Sequence, residues 1–208
     1  MALDSIGHLY DPQDLLGRSF EKPRMPIQVV ETPIIETDAT ALVNSANNWL
    51  RHGSGVARQI ADAIPGHQRQ CDRYIRQRGP LQIGKAVMVP SPELSDGEKR
   101  RFVVHAIGMG YAEMNERGTC RGKISATPES VYSAIWYALA FAQKENCPSV
   151  SFPLMCSRKG GLTKDESAFT MLMALADFEK AHAGFDQIWF HGFQEGDRQA
   201  LLRLLESV

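Results

Sequence analysis

A chain of 208 residues with 43% hydrophobic content is long enough for one well-filled core and gives no reason for a second. Its formal net charge of -1 supplies no global basic field, so nucleic acid is not an expected partner and a small ligand is. Four cysteines, Cys71, Cys120, Cys147 and Cys156, form no CxxC pair, which argues against a zinc ribbon or a redox motif and fits a reduced, cytoplasmic setting with no metal and no cofactor. No stretch reaches the roughly 20 apolar residues of a membrane helix, so a soluble protein without membrane association is expected.

In chain order, residues 1–26 mix early acids, glycine and three prolines and read as an N-terminal extension, with a hint of a helical turn at Asp14-Leu15-Leu16. Residues 27–208 form the domain. Ile27-Gln28-Val29-Val30 is a strand by its β-branched content, and Pro33 punctuates the chain before Ile34-Ile35. Ala41-Leu42-Val43 is the next strand. Val56, Ile60, Ala63 and Ile64 recur at helical spacing and stop at Pro65-Gly66. A second helix covers Gln68 to Arg78, closed by Gly79-Pro80, and Ala86 to Val89 is a strand. Phe102 to Ile107 is an apolar strand leading into Gly108-Met109-Gly110.

The polar, glycine-punctuated stretch Glu113 to Lys123 reads as a loop, of the kind that gates a site. Thr127-Pro128-Glu129 starts a long helix with Val131, Ile135, Leu139 and Ala142 on its buried stripe. Val150 to Leu154, Asp165 to Lys180, Gln187 to His191 and Asp197 to Glu206 continue as strand, helix, strand and helix. This alternation predicts an α/β fold with a largely parallel central sheet covered by helices on both faces. Ligands bind such sheets at the carboxyl ends of their strands, where the loops after Val43, Ile107, Leu154 and His191 can converge.

The richest stretch is Ala41 to Ile60, ALVNSANNWLRHGSGVARQI. A glycine-bearing loop, Gly53-Ser54-Gly55, enters a helix whose first amides and partial positive charge suit a phosphate or diphosphate. Asn44, Asn47 and Asn48 add amides that can grip sugar hydroxyls. Asn44 reads equally as a buried amide bracing the loop, and Asn47 as a turn former. His52 reads as a loop brace and His105 as a satisfied core histidine. Cys156 has the place of a nucleophile beside Arg158 and Lys159, against the plainer reading of a small buried thiol.

Three ordered segments carry a family resemblance. ALVNSANNWLRHGSGVARQI resembles the signature of the macrodomain family, GPLQIGKAVMVP followed by FVVHAIGMG is similar to its strand leading to His-Ala and glycine, and VSFPLMCSRKGGLTKDES is similar to its second glycine segment. The resemblance implies a three-layer α/β/α domain with a mixed, largely parallel sheet. It also implies a cleft for ADP-ribose or an ADP-ribosylated macromolecule, in a reader or a hydrolase of ADP-ribosyl linkages. Carried onto this chain, Asn47 contacts the distal ribose, Gly53, Ser54, Gly55 and Val56 line the diphosphate and that ribose, and Asn44 is a further candidate ligand contact. Ser157, Arg158, Lys159, Gly160 and Gly161 form the opposing phosphate loop, and Phe193 stands beside the adenine.

The chain departs from that pattern at three places. Thr32-Pro33-Ile34 stands where the family carries Gly-Asp-Ile, whose acid accepts from the adenine amino group. Ala57 replaces the acid of MacroD-type hydrolases, so that catalytic arrangement is not expected. Cys156-Ser157-Arg158 replaces Gly-Thr-Gly, so the second loop is expected to offer side-chain charge from Arg158 and Lys159 rather than close backbone amides. The alternative is a divergent macrodomain for another phosphorylated metabolite or a protein partner, without catalysis.

Overall fold

The computed structural model describes residue 15, residues 17–90, residue 94, residues 101–192 and residues 194–207. The strands are β1 (Ile27–Val30), β2 (Ala41–Asn47), β3 (Ala86–Pro90), β4 (Phe102–Met114), β5 (Cys120–Ile124), β6 (Ser149–Pro153) and β7 (Gln187–His191). The helices are α1 (Gly55–Ala63), α2 (His67–Arg78), α3 (Pro128–Lys144), α4 (Lys164–Ala181) and α5 (Glu195–Glu206). The sheet runs β1-β7-β6-β2-β4-β3, with β5 paired to the far half of β4. Every pair from β1 to β4 along this order is parallel, and β3 and β5 are each antiparallel to β4.

Side chains alternate across β2 with the period of two that a strand imposes. Ala41 and Val43 point into the large core with Val131 and Ile135 of α3, Leu172 and Leu175 of α4, and Leu201 of α5. Leu42 joins Ile60 and Ile64 beside α1, and Ala46 joins Cys71 and Ile75 of α2. The result is three layers, with α3, α4 and α5 on one face and α1 and α2 on the other. Chain alternation alone anticipates this arrangement.

One unassigned segment gains an element and one expectation changes. Ile34–Glu36, just past Pro33, is a turn of 3₁₀ helix that buries Ile34. Glu113 to Lys123 is no simple loop: β4 runs on to Met114, and β5 returns antiparallel, pairing Glu113 with Arg121 and Met114 with Cys120. The turn is closed by Gly118 N–H donating to the Asn115 carbonyl at 2.9 Å, and by Thr119 N–H donating to Asn115 Oδ1 at 2.9 Å. Its strands are polar because β5 is mostly exposed, which removes the apolar alternation that marks a half-buried strand.

The N-terminal segment from Gly17 packs against the domain. Arg18 makes a two-pronged bond to the buried Asp177 of α4, at 2.7 and 3.0 Å, and Met25 enters the main core. The Asp14-Leu15-Leu16 turn lies largely outside the described residues, with only Leu15, in a 3₁₀ turn, among them.

Candidate functional site

Four parallel strands end on the same side, and the chain leaves each of them through a loop that walls one cleft of about 1040 Å³. A bulge in the β2–β4 pairing skips Gly108, matching Ala46 with Ile107 and Asn47 with Met109. It re-aims the end of β2, and both Asn47 and Met109 line the cleft.

The first wall is Arg51 to Val56. Asn47 Oδ1 accepts from the amides of Trp49 and Arg51 at 3.1 and 3.3 Å, and its Nδ2 donates to the Arg51 carbonyl at 2.9 Å. Asn47 therefore both lines the cleft and fixes the turn, with one amide hydrogen left for a ligand. Gly53, Ser54 and Gly55 are exposed, and a side-chain carbon at Gly53 or Gly55 would meet nothing within 4 Å. Gly55 has φ +61°, which glycine adopts without penalty. Ser54 stands at the N-cap of α1 but its side chain makes no capping hydrogen bond. The first-turn amides of α1 thus open toward the cleft with their share of positive charge.

The second wall is Leu154 to Gly160. Cys156 has φ 59°, strained for a residue with a side chain. Its amide donates to Ser45 Oγ at 3.4 Å. Gly160 has no room for a side-chain carbon, which would sit 2.4 to 2.6 Å from atoms of Cys156, and one on Gly108 would lie 2.5 Å from Cys156 Sγ. Ser157, Arg158, Lys159 and Gly160 line the cleft, with Arg158 and Lys159 exposed. The next helix, α4, starts behind a complete capping box between Thr163 and Glu166.

The third wall joins the ends of β1 and β7. Thr32 and Pro33 line it, and the Thr32 carbonyl lies 2.6 Å from His191 Nδ1, while His191 Nε2 and Ser151 Oγ are 2.6 Å apart. Asp197, 3% exposed in the first turn of α5, also reaches the cleft. Its carboxylate lies 2.9 Å from Lys164 Nζ and 3.9 Å from Arg158.

Burial shifts three titratable groups that line the cleft. Burial pushes the Cys156 thiol up to about 11, only partly offset by its hydrogen bond with Ser45, so it is protonated at neutral pH. Burial also lowers His52 and His191, against raising hydrogen bonds from Gln68 and from Thr32 respectively. The first turn of α1 carries no acid, Ala57 is buried there, and Asp62 of the same helix pairs with Arg58 at 2.8 Å.

Of the residues singled out from sequence, the structure brings Asn47, Gly53, Ser54, Gly55, Val56, Ser157, Arg158, Lys159 and Gly160 around one cleft. Asn44 is not on its wall: it is 1% exposed, and its amide nitrogen sits 3.0 Å from His105 Nδ1. The strand alternation that sends Ser45 and Asn47 to the cleft turns Asn44 to the α1 and α2 face. Asn48 braces the hairpin, exchanging hydrogen bonds with the Tyr111 backbone. Gly161 is off the cleft wall, where a side-chain carbon would lie 3.6 Å from Ser125 Oγ. Phe193 lies outside the described residues. Ser45, Arg51, His191 and Asp197 are cleft residues the sequence reading missed. Of these, only Ser45 had a signal, as the residue two before Asn47 on a strand.

His105 is fully buried, and with His52 and His67 it forms a set of three imidazoles whose ring centres are 5.2 to 5.3 Å apart. Cys71 completes the group, its Sγ 3.6 Å from His105 Nε2 and 3.8 Å from His67 Nε2.

The Macro domain family profile matches residues 43–171. A Thermotoga maritima protein is 29% identical over 157 residues, covering 75% of this chain but only 24% of that protein's length. The O-acetyl-ADP-ribose deacetylase of Salmonella typhimurium is 27% identical over 180 residues, covering 86% of this chain and 93% of its own. Among solved structures, the Oceanobacillus iheyensis macrodomain with ADP superposes with a TM-score of 0.70 at 20% identity, over 87% of this chain and 90% of its own, a likeness of fold. Among the described residues, no helix is long and apolar enough to cross a membrane. The chain belongs to the Macro domain family.

Proposed function

We propose that the chain, through residues 27–208, binds ADP-ribose or the ADP-ribosyl group of a modified macromolecule in this cleft, in the cytoplasm. The observation that carries the reading is the uncapped start of α1 behind exposed Gly53-Ser54-Gly55, an anion site open to a cavity large enough for a dinucleotide-sized ligand. The diphosphate lies over this start, Arg158 and Lys159 face it from the second wall, and the adenine lies toward Thr32, Pro33 and Asp197. The macrodomain of known structure that holds ADP, and the Salmonella relative named for an ADP-ribose derivative, support the same ligand class.

Binding is the primary activity in this reading. With a protonated Cys156, no acid at Ala57 and buried histidines held toward neutrality, hydrolysis runs only through a water placed between the diphosphate and the first loop, by positioning. Calorimetric titration with ADP-ribose tests it. Heat with a one-site isotherm, weakened at least about tenfold by Gly53→Val through lost phosphate access, is expected, and no heat at millimolar ligand overturns it.

A second reading follows from Thr32-Pro33 and the ion-paired Asp197 at the base-binding end: another phosphorylated nucleotide or sugar phosphate is the resident ligand. A thermal-shift panel separates the two, because stabilisation follows affinity. A selective shift by a compound other than ADP-ribose favours it.

A further inference from the structure

Four donors from three separate parts of the chain meet at the foot of the first loop. His67 and Cys71 stand one turn apart on α2, at the spacing that puts both on one helix face. His105 comes from β4, and His52 is the residue immediately before Gly53. One ring nitrogen of each histidine and Cys71 Sγ all lie within 4.8 Å of one another, and all four residues are buried. The sulfur–nitrogen separations of 3.6 and 3.8 Å are close to the edges of a zinc tetrahedron, which are about 3.3 to 3.6 Å for bonds of about 2.0 to 2.3 Å.

Two features set this group apart from an ordinary buried polar cluster. His52 Nε2 is buried with no hydrogen-bond partner, as is Asn44 Oδ1 beside His105. Such orphans are rare in a folded interior. The outer partners, moreover, are those that orient metal-bound imidazoles. His52 Nδ1 lies 2.8 Å from Gln68 Oε1, and Gln68 in turn donates to Asp72 at 2.8 Å. A half-turn of the Asn44 amide places Oδ1 on His105 Nδ1–H, which satisfies the orphan oxygen and leaves the Nε2 lone pair facing Cys71.

We propose that His52, His67, Cys71 and His105 form a four-coordinate site for a zinc-class divalent cation that fastens the first loop of the cleft to α2 and β4. Three imidazoles and one thiolate select a borderline-soft ion over magnesium or calcium. Four protein ligands leave no open position, so the ion is structural and performs no step on the cleft's ligand. The site departs from the metal-free expectation because its ligands are scattered over the sequence from His52 to His105, with only the His67–Cys71 pair locally readable.

The test uses the full chain, stripped with a chelator and titrated with Co(II). The expected result is about one equivalent bound with the intense visible absorption of tetrahedral cobalt and a thiolate-to-cobalt charge-transfer band. Zn(II) should bleach both, and Zn(II), but not Mg(II), should raise the thermal midpoint. Cys71→Ala should abolish the charge-transfer band, and His67→Gln should weaken binding at least about tenfold. Folded wild-type protein without the band overturns the proposal, as does a band that survives in folded Cys71→Ala. Where a variant does not fold, X-ray absorption of the zinc-loaded wild type decides. A shell of three nitrogens and one sulfur supports the site, and an oxygen-rich or sulfur-free shell rejects it.

Discussion

The two loops that face each other across the cleft both lead into helices, and they treat those helices differently. The first ends at Ser54, whose side chain leaves the start of α1 uncapped, and its glycines face open space. The second passes to α4 through a complete Thr163–Glu166 capping box, and its Gly160 is jammed against Cys156. In the first loop, small residues leave room for something outside the protein. In the second, they leave room for the protein itself. The positive charge each wall can offer follows: backbone amides from the first, and the side chains of Arg158 and Lys159 from the second.

The largest effect that sharpens this contrast is expected from Gly160→Ala. A side-chain carbon there collides with Cys156 backbone, so chemical denaturation should show a loss of about 3 kcal/mol or more. Gly53→Ala, placed in open space, should stay within about 0.5 kcal/mol of wild type. Equal losses in the two variants would break the comparison. Next comes Thr163→Ala, which removes the α4 cap. It should lower stability by about 1 kcal/mol and leave ADP-ribose affinity unchanged by calorimetry.

Ser54→Asp does the reverse at α1. A carboxylate at this N-cap should raise stability by about 0.5 to 1 kcal/mol while weakening ADP-ribose binding, since it takes the amides and repels the diphosphate. Gain of both stability and affinity would show that the open helix start is not the anion site. The smallest effect is titratable. Hydrogen bonds from Thr163, backbone first and side chain second, lower Glu166 below its ordinary 4.5. A carboxyl lowered on folding stabilises above its unfolded value, and that contribution is lost as pH falls through the folded one. Wild type and Glu166→Gln should therefore differ by a few tenths of a kcal/mol at neutral pH, given the exposure of the carboxyl. The two should converge well below 4.5, as followed by thermal melts across pH.

Much of the fold was legible because buried parallel strands and amphipathic helices declare themselves. Gln187–His191 matches its expected strand end for end, and Thr127-Pro128 marks the start of α3. The β4–β5 hairpin was not legible, because a strand pairing at the exposed margin needs no apolar face; the Asn115–Gly118 turn was its only trace. The two glycine segments of the cleft could be read from local order. Asn44 could not be assigned to its own face because the expected strand stopped at Val43 while β2 runs on to Asn47, and Asp197 and His191 reach the cleft only through the way β7 and α5 lie beside β1. The histidine–cysteine group illustrates the same limit, since His52 and His105 join the His67–Cys71 pair only through tertiary packing.

The strand order carries a consequence for how the chain assembles as it is made. β1 occupies the sheet edge, and its neighbour in the sheet is β7, joined in register from Ile27 with Ile188 to Val30 with His191. Among the described residues, β1 thus has to wait for β7, about 160 residues later in the chain, before it can pair with it. Until residue 191 has emerged, the segment carrying Thr32 and Pro33 has no seat at the end of the cleft, and closure of that wall is a late event of synthesis.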